Sequence, residues 1–217
     1  MASTASMVTG PRDGSRLPKA IALAVILLVA ASFVLKYVFH YVLSFVPATL
    51  GDYWPLRLWF AMHICGGTVA LLSGPWQFSG RLRKRYLKVH RITGRVYLIA
   101  ICCGATGAFG MVSTLQGRPL GWMVGLAALA MAWLLTSGMA YYAILKRHIQ
   151  VHREWMVRSY IVTFGFVSFR LLNDYGPLSR VEPENERSTA ILWACWVVPL
   201  LVAEVWFGLR RMKQAAH

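Results

Sequence analysis

The apolar positions of this chain come in long blocks separated by short polar ones, and the blocks set the elements. Ala20–Leu35 is a clean apolar run that continues as a span to about residue 46. Further apolar blocks cover about 54–76, 90–113, 121–145, 154–172 and 190–209. Each reaches or approaches the ~20 residues a helix needs to cross ~30 Å of hydrocarbon. Backbone groups cannot go unpaired in lipid, so the spans are expected to be helices. No period-two alternation competes with that expectation. The fold class expected is therefore all-α: a polytopic transmembrane helix bundle of about six spans.

Composition agrees and excludes a soluble fold. Hydrophobic residues make up 57% of the 217, and only 14% are charged, against about a quarter in an average soluble domain. Mean hydropathy is +0.51. Residues 1–19 are polar and are expected to form a disordered cytoplasmic tail, with 20–213 as a single transmembrane domain. The first apolar run lacks a small-residue cleavage signature and continues to full span length, so it is expected to be retained and not cleaved as a signal.

Charge adds the orientation. The segment GRLRKRYLKVHR at 80–91 has six basic residues and no acid. With the basic residues at 144–158, the two termini and Arg95, one side of the membrane collects seventeen Lys and Arg against three acids; the other side is nearly balanced. The positive-inside rule then expects both termini and both basic loops in the cytoplasm, in the inner membrane of a bacterium. The formal net charge of +15 needs no nucleic acid, since topology and contact with anionic lipid headgroups account for it. The expected partners are the bilayer and those headgroups.

One charged phrase is written twice. Residues 89–97 read VHRITGRVY and residues 151–160 read VHREWMVRSY. His90 opens span 3 and His152 opens span 5, so the two histidines are expected at similar depth on the cytoplasmic side. Spans 2–3 and 4–5 then read as a weak parallel repeat.

The run His63–Leu98 with Ile149–Leu171 resembles a bacterial family of predicted multi-pass membrane proteins of unknown function. The resemblance rests on His63, GPWQF at Gly74–Phe78, HRITGRVY at His90–Tyr97 and HREWMVRS at His152–Ser159, and spans about half the chain. It implies a membrane topology and a set of residues to watch, but no reaction.

Those residues carry two kinds of chemistry. His90 and His152 form a candidate ligand pair for one b-type haem, since bis-His ligation holds low-spin haem in membrane bundles. Gly94, one turn above His90, would leave room for a macrocycle or for a close helix contact. His148 is a weaker alternative partner. His63, surrounded by Cys65, Gly66, Gly67 and Ala70, is an ionisable group at depth and so a site candidate for haem ligation or proton handling, or a neutral imidazole bonded to a neighbouring helix. The same His and Arg residues could instead be the cytoplasmic basic belt. Arg95 and Arg158 lie deeper than that belt requires, and either one pairs plausibly with Glu204. Together with His90, Arg91, His152 and Arg153 they could seat a haem propionate, a quinol headgroup or a phospholipid headgroup. The cysteines form no CxxC, no metal site is expected, and no nucleotide or hydrolase motif is present. Two functions follow: a haem b membrane redox protein, or a non-enzymatic transporter or lipid-interacting protein with a His/Arg anion or proton site. Whether it is an enzyme stays open.

Overall fold

The computed structural model describes residues 16–114, 117–177 and 179–215. Of the expected tail at 1–19, residues 1–15 lie outside the described residues, whereas 16–19 form the first turn of a helix. Among those described there are helices and turns and no strand.

The first span, Ala20–Leu43, is built from α1 (Arg16–Phe33), a wide π turn over Val34–Val38 and α2 (Phe39–Leu43). It lies at the edge of the bundle, with Ile21, Val25, Leu28 and Leu35 turned outward. Two short turns, α3 (Pro47–Leu50) and a 3-10 segment (Gly51–Leu56), lead into α4 (Arg57–Gln77). The basic segment after α4 is a further short helix, α5 (Gly80–Arg85), and not the irregular loop its charge suggested; Ser79 caps it by accepting from the Leu82 amide (3.3 Å). Then follow α6 (Leu87–Thr114) and α7 (Leu120–Leu145). A tight reversal, with Arg147 at φ 61°, turns the chain into α8 (Ile149–Thr163).

The fifth expected span is interrupted. Phe164 separates α8 from α9 (Gly165–Tyr175), and the last helix is α10 (Glu184–Ala215). Among the described residues, five helices are long and apolar enough to cross a membrane. The expected fifth span, 154–172, is not among them: it falls on the α8–α9 pair, where α8 is 15 residues long and charged and α9 is 11 residues long. Pro199 lies inside α10, which continues through it.

Packing follows the small residues. α4 and α6 approach backbone to backbone: a Cβ on Gly66 would stand 2.5 Å from the Ala100 carbonyl oxygen, and one on Gly107 would stand 2.5 Å from the His63 nitrogen. Only glycine permits that separation, and membrane helices gain van der Waals contact by it. The core lies where α6, α7, α8 and α10 meet, around Tyr97, Ile101, Leu129, Trp133, Leu192 and Trp196. Leu120, Leu135, Leu201 and Val205 face outward. An outer surface of that kind suits acyl chains and would be a liability in water.

Candidate functional site

The C-terminal turns of α4 join the two copies of the repeated phrase. Gln77, buried in an apolar helix, reaches α6: its amide lies 2.6 Å from Thr93 Oγ1. In the amide orientation that matches every donor to an acceptor, its nitrogen donates to the His90 carbonyl oxygen (3.3 Å) and His90 Nδ1 (3.1 Å). Its oxygen then accepts from Thr93 Oγ1 (2.6 Å) and the Gly94 amide (3.2 Å). One turn earlier, Gly74 lies against both tyrosines of the repeat. A Cβ there would stand 2.4 Å from the Tyr160 ring and 3.2 Å from the Tyr97 ring.

His90, in the first turn of α6, and His152, in the first turn of α8, both lie at the basic end. His90 is within electrostatic reach of His152, Arg83 and Arg91. His152 Nδ1 donates to the Ala140 carbonyl oxygen on α7 (2.8 Å). A carbonyl only accepts, so in a neutral imidazole this bond leaves Nε2 with its lone pair. His90 is the reverse. With Nδ1 accepting from Gln77, its Nε2 carries the proton. The space above Gly94 is not vacant either, because the Gln77 side chain stands 3.2 Å from where a Cβ would be. A bis-His haem needs lone pairs from both rings and room for the ring between them. His152 fits that requirement, and His90 in this arrangement does not.

The expected ring of arginines divides. Arg158 is buried and turns toward α10, where it makes a two-pronged pair with Glu204: Nη2 donates to Oε2 (2.9 Å) and Nε to Oε1. Its guanidinium stacks on Trp155 (4.6 Å) and Phe207 (4.7 Å). Glu154 lies 4.0 Å from Arg158 and accepts from Arg211 (3.0 Å). The sequence left Arg95 and Arg158 as alternatives for Glu204, and Arg158 takes it. Arg95 is exposed, with no ion pair among the described residues.

Arg83 takes the place that Arg158 was expected to hold. It is half-buried on α5, and burial together with the Arg153 charge pushes its guanidinium below the ordinary arginine range. Among the described residues no carboxylate pairs with Arg83, Arg91 or Arg153. Sequence reading missed Arg83 and Gln77 as site residues. The signal for Gln77 was present: it is a polar side chain inside the apolar block of span 2, within the GPWQF stretch.

Residues 60–207 match the family described as "Predicted membrane protein (DUF2306)". The chain belongs to that family. The match covers α4 through most of α10, so the joint at Gln77, both histidines of the repeat and the Arg158–Glu204 pair all lie inside it, whereas α1 and the π turn precede it. No curated protein and no solved structure is significantly similar to the chain. This DUF2306 chain is thus a membrane protein with several spanning helices, in contact with lipid, from a family of unknown function.

A second feature lies in the other half of the bundle. His63 on α4 donates from Nδ1 to the Gly104 carbonyl oxygen (2.9 Å) and packs edge-on to Phe166 (ring centroids 5.4 Å). It lines a cavity of about 340 Å³ at the end away from α5. Neither His90 nor His152 borders that cavity, so His63 belongs to a separate site. Below the cavity floor a chain of hydroxyls runs through the core. Trp133 Nε1 donates to Thr163 (2.8 Å), Thr163 meets Tyr97 (2.9 Å), Tyr97 meets Ser159 (2.8 Å) and Ser159 meets Ser137 (2.9 Å).

Proposed function

We propose that this chain binds an anionic group of the phosphate type at the cluster of Arg83, Arg91, Arg153, His90 and His152. Its setting is the inner membrane of a bacterium, with the cluster and both termini in the cytoplasm. The observation that carries this reading is the proximity of Arg83 to Arg153 and His90, with no carboxylate paired to any of them among the described residues. Like charges held together raise the free energy of the folded state, and a bound anion with several acceptor oxygens relieves it. His90, with its proton on Nε2, adds a neutral donor to the same cluster. The topology rests on the concentration of basic residues at this end.

The test is thermal melting of the purified protein. In nanodiscs of phosphatidylglycerol the melting temperature is expected to exceed that in phosphatidylcholine, and Arg83→Gln/Arg153→Gln should remove the difference. Inorganic phosphate added to the phosphatidylcholine discs separates a soluble anion from a lipid headgroup. An equal lipid effect in the double variant, with no response to phosphate in wild type, overturns the reading.

A haem b redox protein is the second reading, and the orientation of His152 favours it. A ligating histidine commits its other ring nitrogen to a carbonyl or carboxylate in this way. Gln77 would have to leave His90 for that site to form. If haem is bound there, the reduced-minus-oxidised spectrum shows a sharp band that His90→Ala and His152→Ala each abolish and His148→Ala spares. A colourless protein after haem-replete expression removes this reading.

A further inference from the structure

Two acceptors beside the His63 cavity have no donor among the described residues. His63 spends its Nδ1–H on Gly104, so in the neutral imidazole Nε2 is an acceptor, and it has no partner among the described residues. Asn173, on the same cavity wall near the end of α9, donates from Nδ2 to the Asp174 carboxylate (3.3 Å). That fixes which way its amide faces and leaves Oδ1 buried with no hydrogen-bond partner among the described residues. A buried acceptor without a donor is a standing cost of the fold unless something brings the donor.

The positions of the two acceptors limit what can satisfy both. His63 packs on Phe166 near the start of α9, and Asn173 lies seven residues, about two helical turns, further along it. A ring with a hydroxyl at each end is the simplest group that offers a donor to both. The walls between them are aromatic: Tyr41, Phe60, Trp133, Phe166 and Phe169. A volume of about 340 Å³ falls within the range of small-molecule sites. Aromatic rings stack favourably on such walls.

We propose that this cavity is a binding site for a lipid-soluble aromatic diol of the hydroquinone class, held by one hydroxyl on His63 Nε2 and the other on Asn173 Oδ1. The preference for the reduced form follows from donor and acceptor types. A hydroquinone offers a donor to each acceptor, whereas its quinone offers two acceptors and meets like with like. The site is independent of the anion cluster at the other end.

Durohydroquinone, duroquinone and the dimethyl ether of durohydroquinone are the probes, titrated against the purified full-length protein in nanodiscs with melting temperature and isothermal heat as readouts. Durohydroquinone is expected to bind at least tenfold more tightly than either of the other two, since each of those loses both donors. His63→Ala and Asn173→Leu should each weaken durohydroquinone about tenfold, while Arg83→Gln, at the far end, should leave it unchanged. His63→Ala also removes the bond to Gly104; if it does not fold, Asn173→Leu and the three-ligand comparison on wild type still decide. Equal binding of the dimethyl ether, unaltered affinity in Asn173→Leu, or no binding of durohydroquinone at saturation each overturns the proposal.

Discussion

Tyr97 and Ser159 share a buried hydrogen bond of 2.8 Å, and each is the seventh residue after the histidine of its Val-His-Arg phrase. Seven residues are two helical turns, so α6 and α8 run in register from their first turns into the middle of the bundle. The repeated phrase therefore sets two helices at one depth around a common joint. That joint is the end of α4: Gly74 accommodates Tyr97 and Tyr160, and Gln77 holds His90.

Gly74→Ala should test the joint. The added methyl would overlap the Tyr160 ring, and both tyrosines are buried. Overpacking at such a site costs about 1–3 kcal/mol, read as a lowered melting temperature in detergent. Gly67→Ala is the matched control, since nothing lies within 4 Å of a Cβ there. Equal melting of the two variants would show that α4 does not hold the tyrosines as described.

Tyr97→Phe should cost about 1 kcal/mol, the usual size for an interhelical side-chain bond inside a membrane. The phenol bridges Ser159 and Thr163, and both hydroxyls lose a partner when it goes. Ser137→Ala, at the end of the chain, should cost less. A Tyr97→Phe variant as stable as wild type would place no weight on the network.

The Arg158–Glu204 pair should tolerate neutralisation from one side only. Arg158 is buried, whereas the Glu204 side chain is 46% exposed, which discounts what its charge contributes. Glu204→Gln keeps an acceptor, and Glu154 stays near Arg158, so a loss of about 1–3 kcal/mol is expected. Arg158→Ala should cost more, because the stacking on Trp155 and Phe207 goes too. The reverse order of the two melting temperatures would contradict this account.

Orientation has its own test. A reporter fused to the C-terminus should read cytoplasmic, and one placed within 183–188 should read external. The opposite pattern would move the Arg83 cluster to the external face.

The basic cluster around Arg83 was only partly legible in the sequence. The shared depth of His90 and His152 could be read from the repeated phrase, because two similar helix starts after similar basic segments enter the membrane alike. The partner of Glu204 could be narrowed to two arginines. The choice between them, and the arrival of Arg83 in the cluster, depend on which way each helix is rotated. Hydropathy says little about rotation when a helix has apolar residues on every side, as α4 and α7 do.

What the sequence alone determined is therefore the class of fold and the approximate extent of five long apolar helices. Lipid leaves the backbone no option but internal hydrogen bonding, and the length of an apolar block measures a crossing directly. It did not determine the break at Phe164, the His63 cavity or the amide of Gln77 over Gly94. Those depend on contacts between residues far apart in the chain: His63 with Gly104, Gln77 with His90, Tyr97 with Ser159. A burial pattern set by lipid is the same on all outward faces, so only the packing of one helix on another distinguishes the face that holds a site from the face that holds acyl chains.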